Sequence, residues 1–334
     1  MKQNITNKHS AIALFSGGLD SLLVVKYMEK LGYTIYPVYF ATPYMPAQRA
    51  LEAALDNGIN LIVRDISSEH IQMMENPVYG FGKNINPCID CHGLMFRLAG
   101  EMLEELGADF IVSGEVMGQR PMSQRKTALN MVAKLCGYQD LLIRPLSQKL
   151  LKDTLPITEG WVDKEEMFDI SGRGRNRQLE LAAELGIEKF PSPAGGCLLT
   201  DKGFTQRIRD LQEHHQFDEM NIELLRFGRH FRLDEKTKLI VGRNMAENAE
   251  LEEISEGLIT LKAVEHIGPF AVLTSLDFDE EILDLALEIF WYYHPKAPAE
   301  GQVLLSKPDG TFREYKAMKT DRYTVEKHML TLNT

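Results

Sequence analysis

The sequence predicts an α/β protein, with a doubly wound parallel sheet followed by a smaller C-terminal α+β domain. Short apolar segments alternate with amphipathic helical segments up to about residue 151, and this alternation is typical of a parallel sheet with helices on both faces. The alternation then fades. Beyond about residue 216, short strand-like segments precede one long helical segment, which indicates a second domain of a different kind.

The strands of the first domain are expected where short apolar runs are rich in β-branched or aromatic residues. In chain order they are residues 11–15, 35–40, 60–66, 109–113 and 140–144. Helices are expected where apolar residues recur at helical spacing, several of them stopping at a glycine. These are residues 20–31, 49–56, 94–106 and 178–185. Strand and helix therefore alternate as the parallel fold requires.

The second domain is expected to contain strands at residues 237–241 and 258–262 and a helix at residues 279–292. The change of pattern places the domain boundary near residues 214–219. The predicted domains are therefore residues 1–215 and 216–334.

Composition excludes several classes of protein. The 334 residues are 44% hydrophobic and 25% charged, which excludes disordered and fibrous chains. No apolar run reaches the roughly 18 residues of a membrane span, and the polar start is unlike a signal peptide. Four cysteines are too few for a disulfide scaffold. We therefore expect a cytoplasmic protein without a membrane partner, in which clustered cysteines serve as metal ligands or catalytic thiols.

The charge is unevenly distributed along the chain. The net charge of −11 argues weakly against a nucleic-acid partner. Residues 119–152 nevertheless carry seven basic residues against one acidic residue: Arg120, Arg125, Lys126, Lys134, Arg144, Lys149 and Lys152. Arg173, Arg175 and Arg177 follow. One face could therefore meet phosphate, although ordinary solvated helix faces explain the same charges equally well.

The string SGGLDS at residues 16–21, here called the phosphate loop, lies between the first strand and the first helix. Two glycines allow a sharp turn that points backbone amides at one anion, and the helix start adds its dipole. Ser16 and Ser21 supply hydroxyl donors. Asp20 would repel a phosphate unless a cation lies between them, so Mg²⁺ is implied. The string is neither a GxxxxGK[ST] loop nor a GxGxxG fingerprint.

The phosphate loop resembles the SGGxDS signature of the PP-loop ATP pyrophosphatases, a HUP-like fold family. These enzymes cleave ATP between its α and β phosphates and adenylate an oxygen of the substrate. The resemblance implies that pyrophosphate lies at Gly17 and Gly18, with ATP binding by Ser16, Asp20 and Ser21 as well. It also places Phe40 and Gly114 beside the adenosine.

Three cysteines form the second candidate site. Cys88 and Cys91 form a CxxC pair at a helix start, and Cys197 follows two glycines. A CxxC pair suits one metal, and zinc, a redox disulfide and an iron–sulfur cluster all remain open. Cys136 lies in an apolar helical pattern and is expected to be a core thiol. A helix start beside Cys91 would favour its thiolate.

The first 200 residues or so are similar to the tRNA-thiolating branch of the PP-loop enzymes. The shared segments are NPC at residues 86–88, GAD at 107–109, RPL at 144–146 with Lys152, and GC at 196–197. Because all three cysteine positions are filled, the resemblance implies that Cys88, Cys91 and Cys197 hold a 4Fe–4S cluster with one open iron. A departure is SGE at residues 113–115, where close relatives often have Thr-Gly-His.

Residues 226–248 interleave six Lys and Arg residues with aromatic ones, a combination that suits RNA backbone contact and base stacking. A β-hairpin with a charged outer face is the alternative. The string VGRN at residues 241–244 resembles the NFACT-R RNA-binding domain. RNA contact is expected at Arg120, Arg125, Lys126, Arg173, Arg175, Arg229 and Arg243.

Together these features predict an ATP-dependent tRNA sulfurtransferase with Asp20 and the three cysteines as catalytic residues. A uridine carbonyl oxygen is adenylated, and a sulfur nucleophile displaces AMP. The partners are tRNA and a sulfur donor, either sulfide or a cysteine desulfurase, and a homodimer is left open. The competing mechanism uses Cys197 as a persulfide carrier and Cys88 as the resolving thiol. Two further alternatives are a PP-loop enzyme that activates a small metabolite and a non-enzymatic zinc and RNA-binding module.

Overall fold

The structure is a computed structural model that describes residues 9–192, 197–294, 296 and 298–330. The chain divides into two compact units, Met1–Leu198 and Leu199–Thr334, and each unit has its own hydrophobic core. Every helix in the described ranges is too short or too polar to cross a lipid bilayer.

The first unit contains a five-stranded sheet in the order β3-β2-β1-β4-β5, and every neighbouring pair of strands is parallel. Its strands are β1 (Ser10–Leu14), β2 (Thr34–Ala41), β3 (Ile62–Asp65), β4 (Phe110–Ser113) and β5 (Leu142–Ile143). Its helices are α1 (Leu19–Lys30), α2 (Gln48–Asp56), α3 (Ser67–Glu75), α4 (Cys88–Glu101), α5 (Leu103–Leu106), α6 (Lys126–Cys136), α7 (Leu155–Thr158) and α8 (Asn176–Glu184). The predicted doubly wound α/β fold is confirmed.

Helices cover both faces of this sheet. Leu22 and Val25 of α1 and Leu181 of α8 belong to the core on one face. Phe96 of α4 and Val132 of α6 belong to the core on the other. The central strand β1 is buried on both faces, which explains its continuous apolar sequence.

The order of the strands fixes where a ligand can bind. The chain winds from β1 outward to β2 and β3, and then returns to place β4 on the opposite side of β1. The strand order therefore reverses between β1 and β4, and open α/β sheets bind ligands at the carboxyl edge of such a switch point. The phosphate loop follows β1, and Gly114 follows β4.

The second unit contains a six-stranded sheet in the order β11-β10-β8-β9-β7-β6, in which every neighbouring pair is antiparallel. Its strands are β6 (Arg229–Arg232), β7 (Lys238–Val241), β8 (Ile259–Ala263), β9 (Ala271–Leu273), β10 (Glu300–Ser306) and β11 (Phe312–Met318). Its helices are α9 (Lys202–Glu213), α10 (Glu219–Leu224), α11 (Met245–Glu253), α12 (Glu280–Tyr292) and α13 (Arg322–His328). The predicted α+β class of this unit is confirmed.

Helix α9 belongs to the second unit, whereas the sequence placed the domain boundary after it. The helix is held there by Asp210, whose carboxylate accepts hydrogen bonds from Arg232 at 2.6 and 2.9 Å. The same carboxylate lies 3.0 Å from Nζ of the buried Lys238. The sequence pattern contains no sign of this pairing, because the partners are more than twenty positions apart.

Candidate active site

The phosphate loop has the backbone shape that its glycines predict. Gly17 has a φ of +74°, and a Cβ atom there would lie 3.0 Å from Cα of Ala50 in α2. Both the backbone angle and the close packing therefore require glycine. Gly18 is the N-cap of α1, and the amide of Gly17 has no hydrogen-bond partner in the described ranges. Together with the first amides of α1, this amide can bind an anion.

The two serine hydroxyls of the loop are used to hold its own backbone. Oγ of Ser21 donates to the carbonyl oxygen of Gly18 at 2.8 Å and accepts from the amide of Ser16 at 3.2 Å. Oγ of Ser16 accepts from the amide of Gly18 at 3.3 Å. The loop is thus preorganised, and the role of the hydroxyls in this structure is to shape it.

Asp20 is the centre of a polar network that the sequence did not reveal. Its Oδ2 accepts from Nε2 of Gln119 at 2.6 Å and from the guanidinium of Arg175 at 3.2 Å. Gln119 in turn accepts from Gln178 at 2.8 Å. Oδ1 of Asp20 is buried and has no hydrogen-bond partner within the described part of the chain. A buried free carboxylate oxygen of this kind fits as a ligand for the predicted Mg²⁺.

Gly114 lies against the start of α1. A Cβ atom at this position would lie 2.6 Å from the carbonyl carbon and oxygen of Asp20 and 2.7 Å from the amide of Ser21. The loop after β4 therefore touches the phosphate loop directly. The structure brings these two predicted site residues together at the edge where the strand order reverses.

Phe40 lies near the end of β2. Its side chain is 4% exposed and packs in the core on the α4 and α6 face. The structure thus gives its ring a packing role in the sheet.

A buried ion network follows Gly114 directly. Oε2 of Glu115 accepts from Nε of Arg144 at 2.7 Å, and Oε1 lies 2.9 Å from Nδ1 of His92. Burial alone would raise the pKa of Glu115, but the charge of Arg144 and the contact with His92 outweigh it and lower this pKa to about 2. The unusual Glu115 is therefore an ionised anchor between α4 and the segment after β5. Its position beside Gly114 was visible in the sequence, whereas its partners were not.

The three candidate thiols lie within electrostatic range of one another. Burial raises the pKa of Cys91, and the neighbouring Cys197 and Cys88 raise it further. Burial, together with the thiols of Cys197 and Cys91, raises the pKa of Tyr39 in β2 to about 12. His92, the residue after Cys91, contacts Glu115 at 2.9 Å, and Glu115 follows Gly114, which packs against the backbone of Asp20.

The expectation that the helix start favours the Cys91 thiolate is wrong for this arrangement. Cys91 is the fourth residue of α4 and is buried, and its amide donates to the carbonyl oxygen of Pro87 at 2.8 Å. Desolvation of a buried thiolate and the nearby thiols outweigh the helix dipole. Burial in this arrangement therefore works against the thiolate of Cys91.

The described residues contain no group of three His, Cys, Asp or Glu side chains arranged to hold a metal ion. The three sulfur atoms are near one another, but in this arrangement they do not form a metal-binding group. The glycines before Cys197, at positions 195 and 196, lie outside the described residues. Cys136 is fully buried in the core, and its Sγ lies 3.0 Å from the carbonyl oxygen of Ala133, which confirms the prediction of a core thiol.

The predicted RNA-binding cations of the first unit fall into two groups. Arg120, Arg125, Lys126 and Arg173 are exposed, and in the described part of the chain they form no ion pair. Arg175 is instead bound to Asp20. The loops that carry these residues are adjacent, because the amide of Gly172 donates to the carbonyl oxygen of Met117 at 2.8 Å.

The two cations predicted to contact RNA in the second unit, Arg229 and Arg243, both contact other side chains of the protein. The guanidinium of Arg243 pairs with Glu247 at 2.5 Å, and Glu247 also accepts from the amide of Gly228 at 3.0 Å. Arg229 lies over the ring of Tyr293 at 4.6 Å. Strands β6 and β7 pair antiparallel, as a β-hairpin does, but Arg232 and Lys238 turn inward to Asp210 rather than form a charged outer face. RNA contact at Arg229 and Arg243 stays a prediction.

The motif VGRN owes its residue types to the turn between β7 and α11. Asn244 is the N-cap of α11 and accepts from the amide of Glu247 at 3.0 Å. Asn248 accepts from the amide of Phe270 at 3.1 Å and lies against Gly242, where a Cβ atom would meet its Oδ1 at 2.0 Å. The residues of the motif therefore shape the turn from β7 into α11.

The fold of the first unit is that of a doubly wound α/β protein with a glycine-rich loop at its switch point. Residues 6–153 match a family model described as thiamine biosynthesis protein (ThiI). Residues 228–329 match the model of the NFACT protein RNA binding domain. The chain thus joins a ThiI-like PP-loop segment to an NFACT-R-like segment, as the sequence motifs predicted. These matches do not extend to the proposed three-cysteine cluster.

Curated relatives of the first segment include tRNA-modifying proteins. A probable tRNA sulfurtransferase of Methanosarcina mazei is 31% identical over 170 residues, which are 48% of this chain and 37% of that protein. The tRNA-specific 2-thiouridylase MnmA of Sulfurimonas denitrificans is 33% identical over 112 residues, which are 30% of this chain and 32% of that protein. The chain therefore spans only about a third of the length of these relatives.

Among solved structures, a 4-thiouridine synthetase in complex with RNA and bound ATP is similar to this chain with a TM-score of 0.35 and 20% identity. The alignment covers 54% of this chain and 52% of that one.

Proposed function

We propose that the protein is an ATP-dependent tRNA sulfurtransferase that makes thiouridine. The observation that carries this proposal is the match of residues 6–153 to the ThiI family model, because this segment contains the phosphate loop, Gly114 and two of the three thiols. The relatives of the same segment are named tRNA sulfurtransferase and thiouridylase. The contact between Gly114 and Asp20 supports a nucleotide site at this edge of the sheet.

The first chemical step is adenylation of the base. The uridine carbonyl oxygen attacks the α-phosphorus of ATP, and the bond from that phosphorus to pyrophosphate breaks. The amide of Gly17 and the start of α1 are placed to accept the charge of the departing pyrophosphate. Oδ1 of Asp20 would hold Mg²⁺ on the phosphates. Activation is needed because the carbonyl oxygen of an amide-like ring is a poor leaving group, whereas AMP is a good one.

The second step exchanges oxygen for sulfur. A sulfur nucleophile attacks the adenylated carbon, the carbon–sulfur bond forms, and the carbon–oxygen bond breaks as AMP leaves. In the persulfide route, a cysteine desulfurase is the donor: the Cys197 thiol attacks the outer sulfur of the desulfurase persulfide, and the desulfurase thiol leaves. The outer sulfur of the Cys197 persulfide is then the nucleophile that attacks the adenylated carbon. The Cys88 thiol then cleaves the sulfur–sulfur bond to leave a Cys88–Cys197 disulfide, which an external thiol reduces. The 4Fe–4S cluster on Cys88, Cys91 and Cys197 stays a prediction of the sequence, and no step is derived through it.

Recognition of tRNA would use both units. Arg120, Arg125 and Lys126 supply exposed positive charge without carboxylate partners in the described ranges, which suits a phosphate backbone. The NFACT-R-like unit supports RNA contact by its family. The cytoplasmic location, the sulfur donor and a homodimer stay predictions.

The test is a thiolation assay on the full chain purified without oxygen. ATP and unmodified tRNA are supplied with either sulfide or a cysteine desulfurase, cysteine and a reducing thiol, because a persulfide can form only from the desulfurase. Pyrophosphate is measured, and the digested RNA is analysed for thiolated nucleosides. Thiouridine together with one pyrophosphate per product supports the proposal. Turnover of a free metabolite without RNA binding would overturn it in favour of small-molecule activation. One bound zinc with no pyrophosphate release would indicate a non-enzymatic module.

Cysteine variants separate the two routes to sulfur. Cys88→Ala, Cys91→Ala and Cys197→Ala should each abolish product, and the matched control Cys136→Ala should not. If Cys91→Ala retains activity while the other two variants are inactive, the persulfide route is supported and the cluster assignment is wrong. Iron and acid-labile sulfide analysis of the same preparations reports the cluster independently of activity.

A further inference from the structure

The segment between α3 and α4 exposes large apolar side chains beside the candidate thiols. Val78 is 75% exposed, Tyr79 is 37% exposed and Phe81 is 42% exposed. Apolar side chains of this size are stabilised by burial, so the exposure of all three to water is unfavourable for the chain alone. Three such residues within four positions form an exposed apolar patch, and such patches mark binding surfaces.

The segment is held rigidly by the motif that contains the cysteines. Oδ1 of Asp90, between Cys88 and Cys91, accepts from the amide of Val78 at 2.6 Å. Both its carboxylate oxygens accept from the amide of Tyr79 at 3.1 to 3.2 Å. At the other end, the amide of Gly82 donates to the carbonyl oxygen of Asn86 at 3.0 Å.

These two anchors fix the backbone on either side of Phe81. The side chain of Asn86 also contacts Sγ of Cys88 at 3.2 Å. The exposed aromatic residues are therefore presented from a backbone that the cysteine motif holds in place, which is the arrangement expected of a stacking surface that must keep its position.

The same segment contacts the loop after β4, in which Gln119 donates a hydrogen bond to Asp20. A Cβ atom at Gly82 would lie 2.8 Å from Cε of Met122, and Met122 is itself 43% exposed. Three positions before Met122, Gln119 donates to Asp20 at 2.6 Å. The apolar patch thus extends from the cysteine motif to the loop that contacts the nucleotide site.

Positive charge borders this patch. Lys83, Arg120, Arg125 and Lys126 are exposed, and within the described part of the chain none of them pairs with a carboxylate. An aromatic surface bordered by unpaired cations matches the chemistry of one unstacked nucleotide, which has an apolar base face and an anionic phosphate.

We propose that Phe81 is a stacking surface for a single nucleotide extruded from the RNA substrate, whose phosphates contact Arg120 and Arg125. The inference rests on the proposed function and deepens it, since it names the side chains that receive the base between the thiols and the nucleotide site. A pyrimidine extruded from an RNA helix or loop has to replace the stacking that it loses. Phe81 supplies that replacement.

The experiment uses the full chain and a single-stranded oligouridine that carries one 2-aminopurine, whose fluorescence is quenched by stacking. Phe81→Ala should weaken binding about 5- to 100-fold, as expected for the loss of one stacked base, and should abolish the quenching. Phe81→Trp should restore both, because it keeps a ring at the position. The matched control is Leu55→Ala, which removes an 83% exposed apolar side chain from α2 of the same unit.

Each outcome separates this inference from the proposed function. Unchanged binding and quenching in Phe81→Ala overturn the stacking surface, even if the wild type makes thiouridine. Equal loss in Phe81→Ala and Phe81→Trp also overturns it, because a ring at the position would then not matter. If the wild type releases no pyrophosphate but Phe81→Ala still loses the quenching, the proposed function fails while the RNA surface stands.

Discussion

At Gly114 two loops lie closer together than any side chain would allow. Its Cα packs on the backbone of Asp20, so the end of β4 sets the position of the phosphate loop. The resemblance to the PP-loop family predicts that this residue lies beside the adenosine. The geometry gives it a second role, which is to hold the first turn of α1 at the switch point.

Gly114→Ala should therefore damage the site and the fold together. The added methyl would lie 2.6 Å from backbone atoms, which cannot rotate away, so we expect a loss of about 1–3 kcal/mol in the free energy of unfolding. ATP affinity should fall as well. Gly174→Ala is the control, because a Cβ there meets nothing within 4 Å. Equal urea unfolding curves for both variants would contradict the contact.

The ionised Glu115 makes the free energy of unfolding of the first unit depend on pH in the acidic range. Its pKa of about 2 lies below the ordinary 4.5, so the unfolded chain binds the proton more readily. The stabilisation is complete above about pH 4.5 and is lost as the pH falls towards 2. This difference in pKa corresponds to roughly 3 kcal/mol.

Glu115→Gln tests this linkage. The variant should lose that dependence on pH and should be about 3–5 kcal/mol less stable at pH 7, because Arg144 is left buried without its charge partner. Unfolding by urea at several pH values measures both effects. Glu75→Gln, at an exposed position without an ion pair in the described ranges, should behave like the wild type. A Glu115→Gln variant as stable as the wild type at pH 7 would show that the network contributes little.

At the scale of the elements, the residues in the turn between β7 and α11 have a structural role that is distinct from RNA recognition. Asn244 is bonded within this turn, Asn248 accepts from the amide of Phe270 before β9, and Arg243 is paired with Glu247. A motif associated with RNA binding is therefore composed largely of residues that hold a strand to a helix. RNA contact by this unit has to come from side chains that the turn positions.

Asn244→Ala should lower the free energy of unfolding by about 1 kcal/mol, as the loss of a helix N-cap does. RNA affinity of the folded protein should stay within about twofold of the wild type. Thermal unfolding and filter binding measure these two quantities. Glu250→Ala on the exposed side of α11 is the control, with an expected change below about 0.5 kcal/mol. A large loss of RNA affinity without a loss of stability would show that Asn244 contacts RNA.

At the scale of the whole molecule, the chain consists of two units with separate cores. Lys238 in β7 is 1% exposed, and burial lowers its pKa to about 8 despite the carboxylate of Asp210. Since Asp210 lies in α9, the second unit needs that helix to neutralise a buried charge.

Two fragments test this division. The fragment 199–334 should fold cooperatively by circular dichroism. The fragment 216–334, which begins at the boundary predicted from sequence, should be about 3–5 kcal/mol less stable, because it leaves Lys238 buried without its carboxylate. Equal stability of the two fragments would place α9 outside the second unit. An added Lys238→Met substitution should reduce the difference, since the buried charge is then absent.

The sequence by itself determined the order and type of the main elements, the phosphate loop and the core role of Cys136. These are local properties, because apolar spacing, glycine turns and short motifs act within one or two elements. The tertiary structure alone decided that Gln119 and Arg175 bond to Asp20, that Glu115 joins His92 to Arg144, and that Asp210 ties α9 to β6 and β7. Each of these contacts joins side chains far apart in the chain. Their free energy comes from burial and charge pairing, which exist only after the sheet has brought the partners together.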